Sequence, residues 1–179
     1  MIYHQTPEIT VRDMDGADVA VRVADDMAHG WATSDERHRC RINDAAALRC
    51  VALAADYQGQ SAGYVSVYFP ARIDVYAKQG IPEIVDFGVL EKYRRRGIGT
   101  LLMDMAEKIA GGRCGSVCLG VGMHSGYGAA QRLYVKRGYV PDGSGLWYRD
   151  SICEPYGVCR NDDDLILYMV KNLARVNGI

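Results

Sequence analysis

The chain has 179 residues, 49% of them apolar and 24% charged, and 21 basic against 22 acidic side chains leave a formal net charge of −1. That length suffices for one buried core, and the balance is that of a globular protein rather than a disordered or fibrous one. It lacks the basic field of a nucleic-acid binder and any apolar run long enough to cross a bilayer, so neither a nucleic-acid nor a membrane partner is expected. The opening Met1–Pro7 shows neither the basic segment nor the apolar run of a secretory signal, which predicts a cytoplasmic protein. The cysteines (Cys40, Cys50, Cys114, Cys118, Cys153 and Cys159) form no CxxC pair and the histidines are scattered, so reduced thiols and no metal site are expected.

No repeat, low-complexity tract or linker divides the sequence, which reads as a single domain over 1–179. Ile9–Arg12 reads as a first strand. Asp15 then caps a helix carrying Val19, Val23 and Met27. Segment 31–47 is polar and reads as irregular. Cys50–Ala55 and Gly63–Phe69 alternate as a hairpin around Gln58-Gly59-Gln60, and Glu83–Val89 is the next strand. A helix from about Gly99 to Ala110 places Leu101, Leu102, Met105 and Ile109 on one face, with Gly111-Gly112 ending it. Ser116–Val121 is a further strand. A helix over Tyr127–Arg137 is followed by Gly138, suited to a left-handed cap, and Tyr139-Val140, Leu146–Tyr148 and Leu165–Val170 complete the strands. Alternating strands and helices in the second half imply a mixed sheet with helices on its faces.

The chemistry concentrates in Val89-Leu90-Glu91-Lys92-Tyr93-Arg94-Arg95-Arg96-Gly97-Ile98-Gly99-Thr100. A strand ends, a basic turn follows, and two glycines open a helix. A helix N-terminus has unpaired N–H groups and a positive dipole end, and glycine lets backbone approach a ligand closely. That combination makes a phosphate site. A Walker A loop would need Lys-Ser/Thr after Gly99, where Thr100-Leu101 stand, and a dinucleotide fingerprint would need glycine at position 102, which is Leu102.

Arg94-x-x-Gly97-x-Gly99 resembles the Gln/Arg-x-x-Gly-x-Gly/Ala signature of the GNAT superfamily of N-acetyltransferases, with Val89 at the strand valine that precedes it. Further on, Tyr127-Gly-Ala-Ala130-Gln-Arg-Leu133-Tyr134-Val-Lys-Arg-Gly138-Tyr139 is similar to the family's Asn-x-x-Ala-x-x-Leu-Tyr-x-x-x-Gly-Phe. Tyr127 replaces the usual asparagine and Tyr139 the usual phenylalanine. The resemblance covers nearly the whole chain and is weakest before residue 50.

The resemblance implies an α/β fold (α+β mixed) with a central mixed, mostly antiparallel sheet flanked by helices. The cofactor cleft would lie between the fourth and fifth strands, Glu83–Val89 and Ser116–Val121. It further implies acetyl-CoA as acyl donor, no metal, and direct transfer to an amine of a small molecule or peptide. The alternative is a non-catalytic acyl-CoA-binding or sensing module of the same fold. Homodimers are common among similar proteins, and a homodimer is expected by that analogy. The cofactor positions fall on Phe87, Gly88, Val89, Arg94, Arg95, Arg96, Gly97, Ile98, Gly99, Thr100, Tyr127 and Ala130, with Gly88 suited to a strand bulge.

Tyr134 takes the position whose phenol faces the acetyl-CoA sulfur in similar proteins, and a phenol can protonate a leaving thiolate; its structural reading is a core aromatic. Glu83 matches the general base of the histone-acetyltransferase branch, against a reading as a solvated carboxylate at a strand start. Asp86 is the second candidate base, on the opposite face if the strand alternates. His124 and Ser125 suit turn chemistry or a place near the thioester. Cys118 reads as a small core residue. Asp162-Asp163-Asp164 is either a solvated turn or a lure for a cationic acceptor. Trp31, Tyr148 and Tyr156 are candidates for lining an acceptor pocket.

Overall fold

The computed structural model describes residues 1–173, which fall into two compact units, each made of two separate stretches of chain: Met1–Phe69 with Val85–Ile109, and Pro70–Ile84 with the chain from Ala110 onward. The architecture is mixed α/β, a mostly antiparallel open sheet flanked by helices.

In the first unit the strand order is β1 (Ile2–Gln5), β2 (Ile9–Asp13), β3 (Cys50–Tyr57), β4 (Gln60–Tyr68), then β5 (Glu83–Val89), whose residues from Val85 belong here. β1 escapes the sequence reading because Tyr3, His4 and Gln5 give no apolar alternation. The β3–β4 hairpin turns through Gln58 and Gly59, both at positive φ (49° and 76°), as a two-residue hairpin with right-handed strand twist requires.

Helix α1 (Gly16–Ala28) starts on a capping box: Asp15 accepts from Ala17 N–H, and the Asp18 carboxylate accepts from Asp15 N–H at 2.9 Å. Its inward face departs from the expected stripe. Val19 is buried together with Asp18 and Arg22, while Met27 is exposed. Arg12 explains Asp18: its guanidinium grips both Asp18 oxygens at 2.8 and 3.0 Å and reaches Asp56 at 2.7 Å.

Segment 31–47 is not irregular. It holds helix α2 (Asp35–Ala46), N-capped by the Ser34 hydroxyl, which accepts from Arg37 N–H. Ile42 and Ala45 pack against a cluster of Met14, Cys50, Ala52, Ala54, Tyr68 and Val85. The remaining inward positions are taken by paired polar groups rather than large apolar ones, so no helical stripe appears in the sequence. His38 is buried against Asp26 at 2.9 Å and the Thr33 hydroxyl at 2.8 Å.

Helix α3 (Asp74–Ala77) is a single turn in the second unit. Helix α4 (Ile98–Gly111) buries Ile98, Leu102, Met103, Ala106 and Ala110, whereas Leu101, Met105 and Ile109 are only half-buried. The expected face is therefore rotated, because the two alanines rather than the larger side chains occupy the closest packing positions.

In the second unit the order is β5, β6 (Ser116–Gly122), β9 (Leu165–Asn172), β7 (Val140–Tyr148) and β8 (Ser151–Ile152). Glu83 and Ile84 pair in parallel with Cys118 and Leu119, and the other pairings are antiparallel. The two short strands expected at Tyr139-Val140 and Leu146–Tyr148 are one strand, interrupted where Gly143 and Gly145 take φ of 86° and 87°. Helix α5 (Gly128–Lys136) ends before Gly138, which adopts the anticipated left-handed conformation at φ 87°. Among the described residues no helix is long and apolar enough to cross a membrane.

Candidate active site

In the first unit, β5 leads into a 3₁₀ turn over Glu91–Tyr93, anchored by buried Tyr93, whose hydroxyl donates to Gln60 Oε1 at 2.6 Å. Arg94 is extended. Arg95 and Gly97 then take left-handed conformations (φ 63° and 81°), and α4 begins with Leu101 N–H donating to Gly97 O at 3.0 Å. The amides of Ile98, Gly99 and Thr100 precede that first helical bond, so they are the donors a helix start offers to an outside acceptor.

The two glycines answer different demands. A Cβ at Gly97 would meet nothing within 4 Å, so its backbone angle is the requirement. A Cβ at Gly99 would lie 3.2 Å from Phe87 Cζ and 3.4 Å from Val89 Cγ2, so close packing of α4 on the strand is the requirement there. Phe87, Val89 and Gly99 thus pack together, and a curled backbone that opens a helix, as over residues 94–100, is a kind that can receive an anion.

The arginines are not equivalent. Arg96 lies on Tyr57, with its guanidinium carbon 4.8 Å from the ring centroid and Nη1 3.2 Å from the hydroxyl. Arg94 sits 3.7 Å from Glu91. Glu91 also meets His29 at 3.1 Å, and the His29 hydrogen bond together with the Arg94 charge holds its carboxyl below the usual range.

Asp86 breaks the alternation of β5 with φ 59°. Gly88 is closely packed, since a Cβ there would fall 2.6 Å from the Tyr64 ring. The Asp86 carboxylate accepts from Arg22 Nη2 at 2.8 Å and from Arg41 Nε at 3.2 Å. Burial pushes its pKa up, but the two arginines outweigh burial and hold it below the usual carboxylate range. A carboxylate so held is a poor proton acceptor, which disfavours Asp86 as a base. Arg22 and Arg41, which hold Asp86, are residues that the sequence reading misses. The signal was an Asp18–Arg22 pair, four residues apart, on the helix face that carries Val19.

In the second unit, Tyr134 is buried in α5 with its ring edge-on to Tyr139 at 5.8 Å. Burial, reinforced by Tyr127, raises its pKa, so the phenol stays protonated at neutral pH. Ala130 lies one turn earlier on the same helix and is half-buried. The Tyr127 ring covers Gly122, where a Cβ would lie 2.4 Å from it, and its hydroxyl donates to Asp163 at 3.0 Å. His124 meets the same Asp163 oxygen at 2.9 Å while its Nδ1 accepts from Gly126 N–H. Each member of the acidic run has a side-chain partner: Asp162 accepts from the Tyr148 hydroxyl, Asp163 from Tyr127, and Asp164 from Arg149 Nε. These aspartates fasten the loop before β9.

Glu83 is buried at the start of β5 and accepts from Arg72 N–H at 2.8 Å, with Arg72 Nε at 3.7 Å. Its strand partner Cys118 is fully buried, donates to Pro82 O, and has its thiol pKa pushed up by burial and by the Glu83 charge. Cys118 is a core thiol. Of the acceptor-pocket candidates, Trp31 is exposed and stacked on His29 at 4.9 Å, Tyr148 is half-buried, and Tyr156 is fully exposed. Among the described residues no group of three histidine, cysteine, aspartate or glutamate side chains could hold a metal ion.

The chain is similar in structure to an acetyltransferase of the GNAT family from Streptococcus pneumoniae, with a TM-score of 0.64 and 21% identity over 93% of this chain and 100% of the other. It is also similar to an acetyltransferase from Salmonella typhimurium that modifies the N-terminal serine of ribosomal protein L7/L12, with a TM-score of 0.68 and 14% identity over 97% and 100% of the two chains. A protein of Salmonella typhimurium solved with its cofactor acetyl-CoA aligns with a TM-score of 0.62 and 17% identity over 96% and 97%. No curated protein sequence matches. At these identities the structural likenesses speak to the fold. The model of the acetyltransferase (GNAT) family matches residues 19–139, a span that includes both the Arg94–Gly99 turn and the Tyr127–Tyr139 segment, and the chain belongs to that family.

Proposed function

We propose that the chain, as one domain over 1–179, transfers an acetyl group directly from acetyl-CoA to an amine of a small molecule or peptide. The observation that carries this reading is the turn of residues 94–100, where Arg95 and Gly97 are left-handed and α4 begins; the first amides of a helix have no intrahelical acceptor. In this reading the pyrophosphate is held by the amides of residues 97–100 and by the charges of Arg94 and Arg95, and the extended strand edge Phe87–Val89 lies along the pantetheine arm. Bound acetyl-CoA supplies an activated thioester.

The chain's own residues supply the proton handling. Tyr134, kept protonated by burial, gives the proton that a departing thiolate needs. Glu83 accepts a proton from the acceptor's ammonium, directly or through water, which frees the neutral amine for attack, and one of its oxygens is fixed by Arg72 N–H. Tyr127 contributes through its ring, since its hydroxyl is committed to Asp163. A cytoplasmic, homodimeric enzyme is consistent with the family.

The test is thiol release from acetyl-CoA across a panel of amines and amine-terminated peptides, run beside calorimetric CoA binding. Amine-dependent thiol release supports the reading. CoA binding with no thiol release on any amine would favour the non-catalytic sensing module, and no CoA binding would overturn both.

A further inference from the structure

In the first unit, one face of β4 carries Tyr64, Ser66 and Tyr68 in strand alternation, paired across β3 with Ala54, Ala52 and Cys50. Arg22 of α1 lies 3.7 Å over the Tyr64 ring, and Arg41 of α2 donates to the Tyr68 hydroxyl at 2.9 Å. The two guanidiniums meet on one oxygen of Asp86, at 2.8 and 3.2 Å. Ser66 therefore stands in the row between the two tyrosines that the guanidiniums engage.

Two donors in this group are unused. Arg22 Nε and Ser66 Oγ are buried with no hydrogen-bond partner, Arg22 being 3% exposed and Ser66 0%. Arg22 Nη2 is taken by Asp86, and Nη1 reaches the Met14 sulfur at 4.0 Å, a weak acceptor. Leaving a buried donor unpaired is costly, so buried polar groups in a native core almost always have a partner.

The surroundings give the class of that partner. Nε–H can only donate and the hydroxyl can also donate, so the pair suits an acceptor and not a cation. Positive charge is in excess, because three guanidiniums face two carboxylates in the connected group Arg22–Asp86–Arg41–Tyr68–Asp44–Arg49. Asp26, a further carboxylate on α1, is bonded to His38. Ala52 and Ala54 are buried on the same face, so the place is enclosed yet lined by short side chains, which suits one compact ion.

We propose that Arg22 Nε and Ser66 Oγ, beside the Arg22–Asp86–Arg41 bridge, hold a buried monovalent anion of chloride size. The ion accepts from both donors, balances the extra guanidinium charge and braces α1 against β4. None of these residues belongs to the Arg94–Thr100 turn.

The test uses the full chain, with chloride exchanged for gluconate at constant ionic strength. An ion that binds the folded chain alone stabilises it by mass action. Above the dissociation constant, each tenfold rise in chloride should lift the thermal midpoint by about 3–5 °C. Ser66→Ala is close in size and removes one donor, so its midpoint should respond to chloride less. In crystals soaked in bromide, anomalous scattering should place an ion in contact with both Arg22 Nε and Ser66 Oγ. An equal chloride response in wild type and Ser66→Ala, or none in either, would overturn the proposal. So would bromide found only at exposed arginines or at the Arg94–Thr100 turn, which would mark adventitious ions only. No readout involves CoA or acetyl transfer, so the outcome is independent of the proposed function.

Discussion

Arg22 reaches from α1 to Asp86 in β5, its Nη2 2.8 Å from the carboxylate, and Asp86 holds a left-handed backbone at that point. The same guanidinium lies 3.7 Å over the Tyr64 ring, and that ring occupies the space a side chain at Gly88 would need. Arg41 of α2 shares Asp86 and also donates to the Tyr68 hydroxyl at 2.9 Å. Two helices are therefore tied to the strand that leads into the Arg94–Thr100 turn. Removing one partner from such a group leaves buried charge uncompensated, at a cost of about 3 kcal/mol or more. Asp86→Asn keeps the shape and tolerates positive φ, so urea unfolding should show a loss of about that size. Asp86→Val should lose ~1–2 kcal/mol more, because a β-branched residue resists the left-handed region. A loss below about 1 kcal/mol for Asp86→Asn would make the pair energetically idle.

The same carboxylates set the acid limit. Burial pushes the Asp18 pKa up, but the Arg12 hydrogen bonds outweigh burial and hold it low, and Asp86 is likewise held low. Groups whose folded pKa is depressed give their full stabilisation above the unfolded value, about 3.9 for aspartate, and lose it as pH falls toward the folded value. Stability should therefore hold from neutrality to about pH 5 and then decline steeply. Asp18→Asn should be less stable at pH 7 and show a shallower acid decline. Parallel wild-type and mutant curves between neutral and acid pH would assign the decline to other carboxylates.

At the turn, the two glycines should respond differently. Gly97→Val forces a β-branched residue to φ 81°, a strain of ~1–2 kcal/mol that the loop can escape only by changing shape. Since 1.4 kcal/mol is a factor of ten, CoA should bind about tenfold more weakly while the melting temperature moves little. Gly99→Ala presses only on the end of the Phe87 ring and on Val89, which can yield by tenths of an ångström, so its effect on CoA should be smaller. Calorimetry with CoA decides the order, and equal affinity for all three proteins would remove the turn from the binding site.

Salt dependence separates the arginines. CoA binding that depends on guanidinium charge should weaken as salt rises. Arg94→Ala combined with Arg95→Ala should flatten that dependence, whereas Arg96→Ala should alter it less, because Arg96 is docked on Tyr57. Identical salt slopes for the wild type and the double variant would make these arginines ordinary surface charges.

Tyr134→Phe retains the ring that packs edge-on against Tyr139 and removes only the hydroxyl. CoA affinity should change little while turnover at saturating acetyl-CoA falls by ~10²–10⁴-fold, the usual contribution of a general acid. Near wild-type turnover would return Tyr134 to a core aromatic, and lost CoA binding would make it a structural support.

The local sequence by itself determined the Arg94–Gly99 turn, the strand before it and the helix after it. Gly138 is read correctly because a left-handed backbone leaves few other residues admissible. The Leu133-Tyr134 pair was legible for a similar reason, since a short motif fixes its place on one helix. Tertiary structure decided what depends on partners distant in sequence. Helix α2 was hidden because His38 and Arg41 become inward residues only when Asp26, Asp86 and Tyr68 arrive to satisfy them. Asp86 gave no sign of a left-handed conformation, because that state is held by Arg22 and Arg41, 64 and 45 residues away. The Tyr127 hydroxyl was claimed by Asp163, 36 residues on, a bond that no local pattern encodes. Hydrophobic periodicity reports which faces are apolar, and paired charges can be buried without leaving a trace in it.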